Sequence, residues 1–203
     1  MALIFASNEI NCVKGEIHNM LTVLRINSRW GSQRRFKEEI PLQAESELVR
    51  AFKSLYDLLE DYDDLSLFDT TQYLDPFLSV IKSPHTSGLH TGAALSSVHK
   101  FLLYGFLGPD SIRAREGVNR LAAALTDCQF EMEDEQADQV VIVKLLELAV
   151  LCVRSEAGGA YLADRRIWDT FRLCHKVSRQ WKGLLSSTAE NALAHIVLVI
   201  FSQ

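Results

Sequence analysis

The chain has 203 residues, of which 48% are hydrophobic and 23% charged, with four prolines and ten glycines. That composition calls for a packed core and excludes a disordered, collagen-like or linker-like chain. A net charge of −5 supplies no overall positive field for phosphate backbones, so no nucleic-acid partner is expected.

Cys12, Cys128, Cys152 and Cys174 form no C-x-x-C pair and read as free buried thiols of a reducing compartment, not as disulfides or zinc ligands. Residues 1–5 carry no basic leader and no small-residue cleavage site, so they do not read as a signal peptide. The longest apolar run, residues 196–201, spans about 9 Å as a helix, short of a bilayer. A cytoplasmic chain is expected, with a membrane surface open to it as a peripheral visitor.

In chain order, Ile10, Val13, Ile17, Met20, Leu21 and Leu24 recur at helical spacing, with Ser7 or Asn8 as cap and Asn27 and Gly31 as stop signals. Residues 28–42 break the pattern, hold Arg29, Arg34, Arg35 and Lys37, end at Pro41, and read as a mobile loop. A second helix is predicted over 44–60, with an acidic run (Asp57, Glu60, Asp61, Asp63, Asp64) at its end. A third starts near Thr70, is interrupted or kinked by Pro76, and ends before Pro84. The fourth covers 91–105 and is terminated by Gly108-Pro109. Asp110 or Ser111 caps a fifth, with Ile112, Val118, Leu121, Ala122 and Leu125 facing inward. The acidic stretch 131–138 leads into a sixth over 139–153, where negative charge suits the helix dipole. Gly158-Gly159 stops the chain again, and two last helices cover 164–177 and 184–202. About eight helices without a strand argue for an all-α, armadillo- or HEAT-like α-solenoid forming a single domain over 1–203. No fixed-period repeat is visible in it.

The chemistry-bearing motifs are missing. There is no G-x-x-x-x-G-K-[ST], no G-x-G-x-x-G and no G-x-S-x-G. Gly88, Gly92 and the pair Gly158-Gly159 read as helix punctuation. None of the six histidines has chelating spacing; His85 and His90 share a loop without a neighbouring carboxylate. No catalytic residue, metal or cofactor is expected. The basic residues Arg25 to Lys37 read as a solvated run, with contact to an anionic membrane as the alternative.

The segment 91–107 is the most informative. At about 100° per residue, Ala94, Leu95, Val98, Phe101, Leu102 and Phe106 form one stripe, while Lys100, Leu103, Tyr104 and Leu107 cluster on the other side. Such a helix is either central in a stack or presents its second side to a partner, and a charge at Lys100 needs a carboxylate if it is buried. The run 196–201 is apolar all round, which predicts a fragment whose further helices cover it.

The block Tyr73-Leu-Asp-Pro-Phe-Leu-Ser-Val-Ile-Lys-Ser83, then Thr86, Gly88, Thr91-Gly-Ala-Ala-Leu-Ser-Ser-Val98 and Lys100-Phe-Leu102, resembles the N-terminal DCB (dimerisation and cyclophilin-binding) domain of the large Arf guanine-nucleotide exchange factors of the Golgi brefeldin-A-resistance class. Gly15-Glu-Ile17, Asp138-Gln-Val-Val141 with Lys144, and Thr188-Ala-Glu190 extend the resemblance over essentially the whole chain. It implies a regulatory, non-catalytic domain that forms a homodimer and contacts a downstream homology-upstream domain. Through its parent protein it would serve Arf GTPases in vesicle transport, peripheral to Golgi membranes. The exchange domain would lie downstream. The resemblance places the family's dimer lysine at Lys100 and its partner glutamate at Gln139, where this chain lacks the acid. Either Asp138 substitutes, or the dimer rests on Leu103, Tyr104 and Leu107, or it is weak. The alternative from another class is a stand-alone helical adaptor binding a peptide or a small GTPase.

Overall fold

Each amphipathic helix has an apolar stripe to bury, and the chain buries these stripes by pairing helices in two layers. The computed structural model describes the backbone of residues 2–34 and 42–202, and the side chains of 8–25 and 47–201. Among the described residues there are nine α-helices: α1 (Ala2–Arg34), α2 (Leu42–Leu58), α3 (Thr70–Lys82), α4 (Gly88–Leu103), α5 (Ala114–Thr126), α6 (Glu135–Arg154), α7 (Glu156–Tyr161), α8 (Asp164–Gln180) and α9 (Leu184–Ser202). Short 3-10 turns follow α2, and no strand is formed among these residues beyond one isolated bridge between Ser87 and Glu131.

Helices α1, α4, α6 and α9 lie side by side in one layer, and α2, α3, α5 and α8 in the other. Across the layers α1 packs on α2, α4 on α3, α6 on α5 and α9 on α8, while α7 sits against α5 and α6. This is an all-α solenoid of four stacked helix pairs. Its first half is filled by a chain of edge-to-face rings in which Phe52 meets Phe77, and Phe77 and Tyr73 meet Phe101, at centroid distances of 4.9 to 5.8 Å. A second apolar cluster, built from Ile142, Leu146, Cys174, Val177, Leu185, Ala189 and Ile196, joins α6, α8 and α9.

Several helix ends differ from the sequence-based expectation. Helix α1 runs through Ser7, Asn8, Asn27 and Gly31. A single weak helix former costs at most about 1 kcal/mol and does not stop a long helix alone. Of the expected 28–42 loop, residues 28–34 are helical and 35–41 lie outside the described residues. Pro76 sits inside an unbroken α3, capped by Asp69, whose carboxylate accepts from the Thr71 N–H at 2.8 Å. Helix α4 starts at Gly88 and ends earlier than expected, because Gly105 adopts φ +75°. The Phe106 N–H reaches back to the Phe101 carbonyl (2.9 Å) and the Gly105 N–H to that of Leu102 (3.1 Å), closing a Schellman cap ahead of Gly108-Pro109. Ile112 is exposed instead of facing inward.

Gly88 opens α4 as expected, whereas Gly92 and Gly158 lie inside helices, and all three are contact points. A Cβ on Gly88 would lie 2.9 Å from Asp138 Oδ1, and one on Gly92 3.4 Å from Val141 Cγ2, so α4 and α6 meet closely there. Gly158 lies within α7, where a Cβ would fall 1.9 Å from the Cys152 carbonyl oxygen.

Candidate functional site

Helix α4 carries its buried stripe inward and leaves Leu89, Ala93, Ser96, Lys100 and Leu103 along its outer side, at alternating four- and three-residue steps. Next to it in the layer, α6 leaves Val140, Val143, Glu147 and Val150 at three- and four-residue steps. The two helices run parallel: Gly88 lies at Asp138 and Val141, and Gly92 at Val141 and Lys144, whose Nζ donates to the Gly92 carbonyl at 3.3 Å. The outer sides of α4 and α6 therefore form one surface, and Lys100 sits about 18 Å along it from the end that holds Asp138 and Gln139.

Lys100 has a carboxylate partner, and it comes from α1. Its Nζ lies 2.6 Å from Glu16 Oε1, while Ser97 Oγ donates to Glu16 Oε2 at 2.8 Å. The Glu16 side chain is 12% exposed and that of Lys100 43%. The ammonium thus pins α4 to α1 and keeps donors free toward solvent. The sequence did carry a sign of Glu16: it is an acid set among Val13, Ile17 and Met20, on the stripe that α1 buries.

Leu103 and Tyr104 are 60% and 58% exposed at the C-terminal end of α4. Leu107 corrects the expected cluster: it lies past the helix end and is 3% exposed, in the core. The Schellman turn redirects the chain, so helical spacing no longer applies beyond Leu103. Asp138 is also buried, between the N-terminal ends of α4 and α6, where a carboxylate suits both dipoles. Gln139, beside it, is half-buried. Within one chain, then, the structure brings Leu103 and Tyr104 together with Lys100 and sets Asp138 and Gln139 apart from them.

The thiols and histidines offer little chemistry. All four cysteines are free, and burial pushes the Cys128, Cys152 and Cys174 thiols up to about 12. His85 is exposed. His90 is buried at the start of α4, where its Nδ1 accepts from the Ser87 N–H at 3.3 Å, and burial holds its pKa below the ordinary value. Among the described residues no group of three or more His, Cys, Asp or Glu side chains is placed to hold a metal ion.

Helix α9 is long and apolar enough to cross a membrane by length and composition, unlike the short run considered from sequence. Its stripe of Leu185, Ala189, Ala192 and Ile196 is nevertheless buried in the solenoid, which leaves Leu184, Leu198, Ile200 and Phe201 outside.

No protein-family model matches the chain. It is 30% identical over 195 residues to the ARF guanine-nucleotide exchange factor GNL1 of Arabidopsis thaliana, covering 94% of this chain and 13% of that protein. It is 29% identical over 192 residues to GNOM of the same plant, with 93% of this chain and 13% of that protein covered. A Golgi-specific brefeldin A-resistance guanine nucleotide exchange factor 1 homolog of Caenorhabditis elegans is 30% identical over 201 residues, covering 98% of this chain and 10% of that protein. The chain thus spans only 10 to 13% of the length of these curated relatives. Over nearly all of its own length, it is homologous to an N-terminal segment of the large ARF guanine-nucleotide exchange factors.

Proposed function

We propose that this chain is a non-catalytic dimerisation and regulatory domain of a large ARF exchange factor, a single unit over 1–203 that works by binding. The observation that carries the reading is the pairing of exposed Leu103 and Tyr104 with a half-exposed Lys100 on the outer side of α4. A two-fold interface is self-complementary, so the residue that meets Lys100 of one copy must sit elsewhere on the same face of the other. Gln139 meets that requirement, at the opposite end of the α4–α6 surface. Antiparallel apposition of two such surfaces sets each Lys100 ammonium against the partner's Gln139 amide. The buried Asp138 does not replace the missing acid. The dimer therefore rests on Leu103 and Tyr104, is assisted by a hydrogen bond from the ammonium to an uncharged amide oxygen in place of an ion pair, and is weak.

The outer side of α9, with Leu184, Leu198, Ile200 and Phe201, is the surface we assign to a neighbouring homology-upstream domain. The parent protein would act on Arf GTPases in the cytoplasm, peripheral to Golgi membranes, in vesicle transport. A second reading, a stand-alone adaptor for a peptide or a small GTPase, is favoured by a groove of about 460 Å3 between α6 and α9, lined by Leu146, Val150, Leu151, Arg154 and His195.

Molar mass by light scattering across a concentration series tests the dimer reading. The chain is expected to move from monomer toward dimer as concentration rises. Leu103→Asp is expected to raise the dissociation constant by about tenfold or more, since each copy loses a buried leucine. A monomer at every concentration, or an unchanged Leu103→Asp variant, contradicts it.

A further inference from the structure

We propose that the exposed face of α8 docks on an anionic lipid surface. The inference rests on the reading that the chain works beside a membrane, and names the face that meets it. Residues 164–182 hold six basic side chains against two acidic ones, a surplus of four in a chain whose net charge is −5. Thr170, Cys174 and Val177 bury one side of α8. On the opposite side Arg165, Arg172, Lys176 and Arg179 fall within about 60° of one another around the helix axis. The stripe from Arg165 to Arg179 is about 21 Å long.

Most of this charge is not used inside the fold. Arg165 and Arg166 approach Asp169 at 4.0 and 3.5 Å. Arg172, Lys176, Arg179 and Lys182 make no ion pair or side-chain hydrogen bond among the described residues. Between α8 and the end of α5 the surface forms a broad concavity of about 710 Å3, lined by Arg165, Arg166, Arg172 and Lys176 together with Thr126 and Asp127. Trp168 borders the stripe, 58% exposed and stacked on Phe171 at a centroid distance of 5.4 Å.

Charge complementarity requires an anionic partner, and the geometry favours a planar one. Headgroup phosphates supply negative charge over an area wide enough for the whole stripe, and the indole is the side chain that settles at a membrane interface. The acidic residues 57–64 lie at and just after the end of α2, in the first helix pair's end of the stack and far from α8, so they do not cancel the stripe. Helix α8 also lies in the layer opposite α4, which leaves α4 accessible when α8 is engaged.

Vesicle flotation of the full chain tests the proposal, with phosphatidylcholine vesicles alone and with vesicles that also contain phosphatidylserine. Wild-type chain is expected to float with the anionic vesicles only, and to be released by salt. At about fivefold in partitioning for each of three cations removed, Arg172→Glu/Lys176→Glu/Arg179→Glu is expected to lose a hundredfold or more. The neutral Arg172→Gln/Lys176→Gln/Arg179→Gln variant is expected to fall between, Trp168→Ala to bind more weakly, and Leu103→Asp to float as wild type does. Equal flotation with neutral vesicles, no flotation of wild-type chain at low salt, or unchanged flotation of the triple variant overturns the proposal. Loss of self-association in the triple variant would assign the stripe to a second copy instead. Light scattering reads the α4 dimer separately, so either idea can fail while the other stands.

Discussion

Glu16 is a charged residue held where α1 otherwise buries valine, isoleucine and methionine. It is stable there because both carboxylate oxygens are occupied, one by Lys100 and one by Ser97. Removing the cation alone leaves a mostly buried carboxylate with one weaker partner. Lys100→Ala is therefore expected to lower stability by about 1–3 kcal/mol in urea unfolding. The paired change Glu16→Gln/Lys100→Met, which removes both charges, is expected to cost less than Lys100→Ala alone. If the single change has no effect on the unfolding midpoint, the pair is only a surface contact. The same coupling means that lost self-association in Lys100→Ala would not by itself place Lys100 in an interface. Leu103 and Tyr104, which make no such internal contact, give the cleaner test. His90 makes stability depend on pH. Its folded pKa is lowered by burial from 6.5, so the unfolded chain binds the proton more readily. Its contribution to stability is complete above 6.5 and is lost as pH falls through 6.5 toward the lower folded value. Melting temperature should therefore drop over that window, and His90→Gln should flatten the drop; an equal drop in both proteins contradicts this.

At the scale of elements, α4 shows what a periodic pattern can and cannot reveal. The inner stripe of Ala94, Leu95, Val98, Phe101 and Leu102 was legible from spacing and is buried. The outer stripe was legible as far as Leu103 and failed at Leu107, because the left-handed Gly105 turns the chain and periodicity carries no information about the turn. Gly105→Ala is expected to destabilise by about 1–2 kcal/mol, since alanine resists that conformation. Gly158→Ala is expected to be more damaging, because there the added methyl meets a backbone carbonyl and not open space. Thermal melts of the two variants check the order, and the reverse order contradicts the contact at Gly158. Helix α7 was missed for a related reason. Six residues are too few to display a helical period, and its two glycines imitate a chain break.

At the scale of the molecule, the all-α class was legible because helical stripes recur without strand signals between them. The order of the helices within each layer was not, since periodicity says which face a helix buries and nothing about which helix covers it. Only the stacked arrangement places Lys100 beside Glu16 and sets Gln139 at the other end of the same surface. The basic face of α8 leaves no trace in the overall charge, which averages it away. In the proposed dimer two copies pair through the α4–α6 surface, with Lys100 of one opposite position 139 of the other. The dimer dissociation constant of Gln139→Glu, read by light scattering over a concentration series, reports on that pairing. A carboxylate at 139 gives each Lys100 an oppositely charged partner, so dimerisation is expected to be tighter by about fivefold or more. The gain should vanish when Gln139→Glu is combined with Glu16→Gln/Lys100→Met. No tightening, or the same tightening without the lysine, would rule out Lys100 facing position 139 across the dimer.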